Sequence, residues 1–248
     1  MICRSDVTGS RVEPEWLATL RSQLEARRDP WVLLEGRASV EAALAGWWEV
    51  PGVLIAENHA WEVPAWSGME VLRRPADELA GLGDPERHGG ILGVAKMPDE
   101  TANVAPFIKT LEGDALVVVC PHCTDLGMAG EVVRLALAAG AAAAFFGVEG
   151  VSPFEPLAVG VSEGAVFKMP VKITDAGLIL RCLMAGKFSL IGLDGGDAGL
   201  EEIAKIEGRR ALVVPGEGGL GGFWKRACDF RSGAGLGEAL ERLSAADS

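Results

Sequence analysis

Two cysteines near the middle of the chain are spaced as a pair that could do chemistry. Cys120 and Cys123 form a CxxC motif, which can act as a redox dithiol or supply two thiolates to a metal ion. The other histidines outside the motif, His59 and His88, give no second ligand pair at a suitable spacing. The sequence therefore favours two ordinary cysteines at a strand end, and we expect no metal site.

A glycine-rich turn is the second candidate. Residues 215–219 read Pro-Gly-Glu-Gly-Gly and follow an apolar run. Backbone N–H groups of such a turn, placed before a helix, can bind a ligand, although a plain strand-to-helix turn fits the local sequence equally well. No GxGxxG directly follows the first strand and opens a helix, and the chain has no GxxxxGK[ST] and no GxSxG. These absences disfavour dinucleotide, P-loop and α/β-hydrolase sites.

Arg134 is the third candidate, because it interrupts the apolar segment VVRLALAAG at 132–140. A charged residue in this setting either faces solvent or is buried with a partner. The local sequence leaves both alternatives open.

The elements that must position these residues alternate between strand and helix in the second half. Strands are expected at 115–120, 142–147, 188–194 and 210–214, and helices at 131–139, 175–185, 200–206, 222–228 and 236–245. This alternation predicts a largely parallel sheet covered by helices, with ligands at the carboxyl ends of the strands. The loops after residues 120, 147, 194 and 214 would then form the binding edge.

The first half reads as a smaller α/β unit. A leading amphipathic helix is predicted at 13–28, followed by strands at 31–34, 52–57, 70–72 and 90–96 and helices at 40–47, capped by Ser39, and 76–80. Residues 97–107 are polar and contain proline, which is typical of a linker. We predict domains at 1–100 and 113–248, joined by a linker at 101–112.

The bulk composition narrows the class of protein. The net charge of −12 over 248 residues disfavours a strong nonspecific polyanion binder, although a local basic patch is compatible with it. For each candidate patch the sequence favours an ordinary solvated face over a functional site; the patches are Arg27-Arg28 with Arg37, Arg73-Arg74, Arg209-Arg210, and Lys225-Arg226 with Arg231. The sequence has no membrane span, no signal peptide and five scattered cysteines, so a cytoplasmic protein is expected.

Three stretches of the second half carry a family resemblance. The first stretch, residues 125–141 (DLGMAGEVVRLALAAGA), resembles D-P-G-N-x-G-x-x-x-R-T-A-x-x-x-G-A. The second, residues 152–171, resembles D-P-[YF]-N-P-K-x-V-R-x-S-x-G-A-x-F-x-x-P-V. The third, residues 211–231, resembles A-L-V-x-G-N-E-G-x-G-L with a following Cys-Asp pair. Residues 33–44 and 88–96 are similar to a ribosomal-protein-like RNA-binding domain. Because all these matches occur in the family's order, the chain resembles the SpoU (TrmH-like) branch of the SPOUT methyltransferases over nearly its whole length.

The resemblance implies a fold and an activity. It implies an α/β protein in which a C-terminal methyltransferase domain, a parallel sheet with a trefoil knot, follows a small α/β RNA-binding domain. It also implies a homodimer that methylates a ribose 2′-hydroxyl of tRNA or rRNA with S-adenosylmethionine. By this resemblance, Arg134 would position the hydroxyl and help to remove its proton. Glu217 would have a structural role or contact the substrate. The cofactor would lie against Leu193, Asp194, Val214, Pro215, Gly216 and Gly218.

The chain also departs from the family pattern. Met128 replaces the asparagine of the first motif, Gly160 an arginine of the second, and Pro215-Gly216 the Gly-Asn of the third. The I-P-M loop and the S-L-N helix start are missing. Two alternatives therefore stand beside the methyltransferase: a catalytically impaired relative that binds RNA or assists assembly, and a small-molecule or protein methyltransferase on the same fold.

Overall fold

A computed structural model describes residues 13–26 and 30–245 of the chain. Within these ranges the strands are β1 (Trp31–Glu35), β2 (Gly52–Ala56), β3 (Glu70–Arg74), β4 (Ile91–Lys96), β5 (Leu116–Cys120), β6 (Ala143–Gly147), β7 (Val171–Thr174), β8 (Ser189–Gly192), β9 (Arg210–Val213) and β10 (Phe230–Arg231). The helices are α1 (Glu15–Ala26), α2 (Gly36–Ala45), α3 (Ala76–Ala80), α4 (Pro85–His88), α5 (Val104–Thr110), α6 (Leu126–Ala138), α7 (Pro156–Val161), α8 (Ala176–Ala185), α9 (Leu200–Ile203), α10 (Gly222–Ala227) and α11 (Leu236–Ala245).

The first four strands form one sheet in the order β1-β4-β2-β3. Strand β4 pairs antiparallel with both β1 and β2, while β2 and β3 are parallel. The apolar face of α1, with Trp16, Leu17 and Leu20, is buried on this sheet, as its periodicity predicts. The approach is close, because a Cβ on Gly52 would lie 2.1 Å from the Trp16 ring. The predicted end of the leading helix at residue 28 lies outside the described residues.

The remaining six strands form the second sheet in the order β10-β8-β9-β5-β6-β7, and each neighbouring pair is parallel. All five residues of β5 are buried, since helices cover both faces of the sheet. The sequence prediction of an α/β fold with a parallel sheet is thus confirmed. The loops after β5, β6, β8 and β9 leave the sheet at its carboxyl edge.

One helix begins earlier than predicted. Helix α6 starts at Leu126 rather than at 131, because the Asp125 carboxylate accepts a hydrogen bond from the Met128 N–H at 2.6 Å and caps the first turn. The glycines of this turn weaken the helical pattern, yet Gly130 is required there. A Cβ at Gly130 would lie 2.4 Å from the Ala158 carbonyl oxygen of α7.

Two other element predictions also change. Helix α2 begins at Gly36, so Ser39 lies inside its first turn, where its hydroxyl donates to the Glu35 carbonyl oxygen rather than capping the helix. The segment predicted as a linker contains a 3₁₀ turn at Asp99–Ala102 and helix α5, whose Val104 and Ile108 side chains are buried. The domain division at 101–112 stays a prediction.

The two sheets share packed side chains. Gly46, just after α2, lies so close to the second sheet's layer that a Cβ there would be 2.1 Å from the Phe167 carbonyl oxygen. The Trp48 ring lies 5.0 Å from the Phe167 ring and 5.6 Å from the Phe154 ring. A Cβ on Gly164 would likewise be 2.2 Å from Ala42. The first sheet is therefore docked directly against the elements that follow β6.

Candidate functional site

The loop after β5 lies at the centre of the carboxyl edge, between two other loops. A Cβ on Gly216, in the loop after β9, would lie 2.0 Å from the His122 carbonyl oxygen. A Cβ on Gly147, at the end of β6, would lie 2.0 Å from the Pro121 carbonyl oxygen. Glycine is thus required at both positions, because any side chain would separate the loops.

The loop after β8 meets the segment that follows β10. The Gly195 N–H donates to the Ser232 carbonyl oxygen at 3.1 Å, and the Ala198 N–H donates to the Arg231 carbonyl oxygen at 3.0 Å. Gly196 adopts a φ of 149°, and a Cβ there would lie 2.3 Å from the same Arg231 oxygen. The two segments are therefore in backbone contact.

Asp194 joins the elements around these loops. Its carboxylate, 3% exposed, lies 2.9 Å from Nζ of Lys225 and 3.1 Å from Nε of Arg231, and it accepts the Leu220 N–H at 3.2 Å. Burial acts to raise the pKa of Asp194, but the hydrogen bonds from Lys225, Arg231 and Leu220 outweigh it and hold the pKa below its usual value. Asp194 thus connects the ends of β8 and β10 with α10 and the turn before it.

The glycine-rich turn at 215–219 has exposed residues at 217–219. The Val214 N–H donates to the Val119 carbonyl oxygen at 2.7 Å, which extends the sheet by one residue. Gly218 adopts a φ of 92°, and a Cβ there would meet nothing within 4 Å. The Glu217 side chain is exposed, and no hydrogen bond or ion pair joins it to another described residue. The turn offers backbone groups and open space to a ligand.

Arg134 lies on α6, with its side chain 40% exposed. Its Nη2 atom is 3.7 Å from Oε1 of Glu131, one turn earlier on the helix. Arg134 is nine residues after the Asp125 cap, which is about 14 Å along the helix axis. Its side chain leans back towards the N-terminus of the helix, as side chains of α-helices do. The structure agrees with neither alternative alone, because the side chain is partly exposed and also has Glu131 as a partner. No ion pair or hydrogen bond joins Arg134 to Glu217.

The CxxC motif is buried at the same edge. Cys120 and Cys123 are 0% and 1% exposed. A hydrogen bond between the two sulfur atoms raises the pKa of Cys120 and lowers that of Cys123, and the Cys123 thiol also lies 3.3 Å from the Asp125 carbonyl oxygen. The described residues contain no group of three or more His, Cys, Asp or Glu that could hold a metal ion.

The predicted basic patches are largely engaged in internal contacts. Arg73 donates to the carbonyl oxygens of His59 and Trp61, and Arg209 to that of Leu111. Lys225 and Arg231 pair with Asp194. These groups are therefore not simply solvated: they hold loops in place, while the Lys225 and Arg231 side chains stay about two-fifths exposed. Arg27 and Arg28 lie outside the described residues.

A ligand held through backbone groups fits the loop cluster. The missing side chains of Gly195 and Gly218 leave free space, since a Cβ on either would meet nothing within 4 Å. Cavities of about 550, 610 and 300 Å³ occur elsewhere in the fold, and none of the three is lined by residues 193–194 or 214–218. Of the helices in the described ranges, none has the length and apolarity to cross a membrane.

Comparisons with known proteins agree with this arrangement. No protein-family model matches the chain. The chain is 23% identical over 250 residues to a 23S rRNA (uridine(2479)-2′-O)-methyltransferase of Streptomyces viridochromogenes, covering 94% of this chain and 85% of the relative. It is 25% identical over 181 residues to the 23S rRNA (guanosine-2′-O-)-methyltransferase RlmB of Ralstonia nicotianae, covering 72% of each.

Solved structures show the same fold. The SpoU methyltransferase AviRb of Streptomyces viridochromogenes, in complex with the cofactor AdoMet, superposes with a TM-score of 0.71 at 20% identity, covering 92% of this chain and 96% of that one. An rRNA methyltransferase of Sinorhizobium meliloti gives a TM-score of 0.71 at 17% identity, covering 93% and 92%. In sequence and in fold, the chain is therefore similar to the SpoU methyltransferases over nearly its full length.

Proposed function

We propose that the protein transfers a methyl group from S-adenosylmethionine to a ribose 2′-hydroxyl of RNA, with ribosomal RNA as the substrate class. The observation that carries the proposal is the near full-length similarity to rRNA 2′-O-methyltransferases, combined with loops that meet at one carboxyl edge. A trefoil knot and a homodimer belong to the same proposal. The order β10-β8-β9, in which the chain leaves β9 and returns beside β8, is compatible with threading.

The loops after β8 and β9 are the proposed cofactor site. Leu193, Asp194 and residues 214–216 with Gly218 would hold the cofactor, largely through backbone groups, because the nearby glycines leave room for it. The cofactor supplies an electrophilic methyl group. The Asp194 carboxylate already pairs with Lys225 and Arg231, so its part is to fix the loop that faces the ligand.

Arg134 is the proposed catalytic residue. A ribose hydroxyl must lose its proton as its oxygen attacks a methyl group, and a nearby guanidinium stabilises the negative charge that develops. The guanidinium of Arg134 is half-exposed, and its contact with Glu131 is long at 3.7 Å. It is therefore available to a substrate. Glu217, exposed in the glycine-rich turn, would contact the RNA or the neighbouring loop.

One observation favours a second candidate, an RNA-binding relative without turnover. Met128 occupies the position of the family's asparagine, and its N–H is already bonded to Asp125. A thioether cannot donate a hydrogen bond to RNA. Losing one such contact typically costs about 10²–10³ in rate.

The test uses the purified full chain, S-adenosylmethionine labelled in its methyl group, and unmodified 23S rRNA. We expect transfer to a ribose, and we expect Arg134→Ala to lower its rate by about 10²–10³. The matched control is Arg181→Ala, since Arg181 is also a helix surface arginine with a long carboxylate contact, 3.9 Å from Asp175. Calorimetry of cofactor binding runs in parallel. Cofactor binding without transfer to any rRNA would favour the second candidate.

A further inference from the structure

Trp47 has an unusual backbone and an unusual exposure. Its side chain is 92% exposed, and its φ of 61° lies in the left-handed region. Bulky residues seldom adopt this conformation, which costs free energy. A large aromatic ring held in water by a strained backbone is a feature that stability alone does not explain.

The hydrogen bonds around α2 explain how the strain arises. The Trp48 N–H donates to the Ala43 carbonyl oxygen at 3.0 Å, and the Trp47 N–H donates to the Leu44 carbonyl oxygen at 3.1 Å. This pair of bonds ends the helix as a Schellman motif, in which the left-handed residue is usually glycine. Here the glycine comes one residue earlier, at Gly46, where the Phe167 carbonyl oxygen leaves no room for a Cβ.

The exposed Trp47 ring is next to a tightly packed residue, Trp48, and beside a cavity. The next residue, Trp48, is wedged between Phe154 and Phe167 at ring distances of 5.6 and 5.0 Å. The cavity, of about 300 Å³, is lined by Gly46, Trp47, Trp48, Glu49, Lys96, Met97 and Pro98. The site thus combines an aromatic face, a recess, one lysine and one glutamate.

A larger cavity shares lining residues with this recess. Met97 and Pro98 also line the cavity of about 550 Å³ between the two sheets. That cavity reaches Gly147, whose missing Cβ allows contact with Pro121 in the loop after β5. The two cavities therefore adjoin at Met97 and Pro98, and the larger one has Gly147 of the carboxyl edge in its lining.

We propose that Trp47 is a stacking platform for an unpaired base of the substrate RNA, with Lys96 beside the adjoining phosphate. The inference rests on the proposed function and names how the RNA is held. Unpaired bases are commonly recognised by stacking on aromatic side chains. Stacking suits a chain of net charge −12, which cannot rely on many phosphate contacts. A single exposed ring beside a small recess matches the size of one base, whereas a stable protein interface buries about 800 Å² per partner.

The experiment measures the affinity of the full chain for a fluorescent single-stranded oligoribonucleotide of about ten residues, a length typical of such sites. We expect Trp47→Ala to weaken binding about 5- to 100-fold, whereas Trp47→Phe keeps an aromatic face and stays within about threefold of the wild type. Salt dependence separates the two contacts. Lys96→Ala should lower the slope of log affinity against log salt by about one, while Trp47→Ala leaves the slope unchanged.

The outcomes distinguish this inference from the proposed function. Methyl transfer by the wild type, with equal oligonucleotide affinity in Trp47→Ala, overturns the stacking platform and leaves the methyltransferase standing. Absence of transfer, with the expected loss of affinity in Trp47→Ala, supports the platform while the catalytic proposal fails. A changed sedimentation coefficient of Trp47→Ala with unchanged RNA affinity identifies a protein contact and also overturns the platform.

Discussion

Nε of Arg231 lies 3.1 Å from Oδ1 of Asp194, so the carboxylate after β8 is paired with the last strand of the sheet. Lys225 of α10 completes the arrangement from the other oxygen, at 2.9 Å. The carboxylate is buried while both cations are about two-fifths exposed. A single side chain therefore holds together the segments that carry the proposed cofactor contacts.

Asp194→Asn should destabilise the fold by about 1–3 kcal/mol, because it leaves two cations without their buried counter-charge. Urea unfolding measures the change. Asp175→Asn is the control: Asp175 is an exposed cap of α8, and asparagine caps a helix as well as aspartate does. Equal effects of the two substitutions would contradict the role assigned to Asp194.

The same carboxylate predicts a dependence of stability on pH. The folded pKa of Asp194 is lower than the unfolded value of about 3.9, so the unfolded chain binds more protons between the two values. Its contribution is complete above the unfolded pKa and disappears as the pH falls through the folded pKa. The stability difference between wild type and Asp194→Asn should thus shrink below about pH 4. If the stability difference between the wild type and Asp194→Asn stayed constant down to the pH of acid unfolding, the predicted role of the Asp194 pKa would be refuted.

Gly216→Ala should displace the glycine-rich turn, because its Cβ would lie 2.0 Å from the His122 carbonyl oxygen. We expect a loss of more than about 2 kcal/mol in stability and a loss of cofactor affinity by calorimetry. Gly237→Ala in α11 is the matched control. A Cβ there meets nothing within 4 Å, and alanine in a helix is favoured by up to about 1 kcal/mol.

Cys228 should react slowly with iodoacetamide at neutral pH. Its burial, and then the nearby Asp194 and Asp229 carboxylates, raise its pKa to about 11, and the thiolate is the reactive form. In the folded protein, the labelling rate of Cys228 should rise about tenfold per pH unit up to that pKa. Mass spectrometry of the peptides measures this rate. In the urea-unfolded chain the rise should end near pH 8.5. Equal profiles in the two states would argue against the raised pKa.

Met128→Asn should raise methyl transfer if the methyltransferase proposal is correct. The substitution puts an amide, which can donate and accept, where the thioether can do neither well. Restoring one positioned contact corresponds to about 10²-fold in rate. The measurement is the initial rate on 23S rRNA, with Met184→Asn, at an exposed position of α8, as the control. A rate that both substitutions leave unchanged would count against a substrate contact at this position.

Trp47→Gly should stabilise the protein by about 1 kcal/mol, since glycine adopts the left-handed conformation freely. Thermal unfolding tests this. A variant that is more stable yet binds RNA more weakly is the expected combination. A loss of stability would mean that the ring makes a contact that supports the fold.

The parallel sheet could be predicted because continuous apolar runs identify strands that are covered on both faces. Residues 116–120 and 143–147 form such strands, and each is buried throughout. The helix predicted at 175–185 was also correct to within one residue, since Asp175 caps the helix that begins at Ala176. The start of α6 was not, because Gly127 and Gly130 are there for close packing rather than for helix propensity.

The contacts of the candidate site could not be predicted from local patterns. Asp194 and Arg231 are 37 residues apart, and only the strand order places them side by side. Basic residues near the chain's end therefore looked like a solvated patch. Trp47 was missed for a related reason: the glycine displaced from its usual position is required by Phe167, more than a hundred residues later.

The position of β10 has a consequence for biosynthesis. The edge strand that closes the sheet comes from Phe230–Arg231, and Arg231 and Ser232 bond to the loop after β8. During synthesis, Trp47 and helix α6 with Arg134 are therefore made before β10, which the loop after β8 needs for its backbone hydrogen bonds. The loops that carry the proposed cofactor contacts therefore reach their final arrangement only when the last part of the chain has been made.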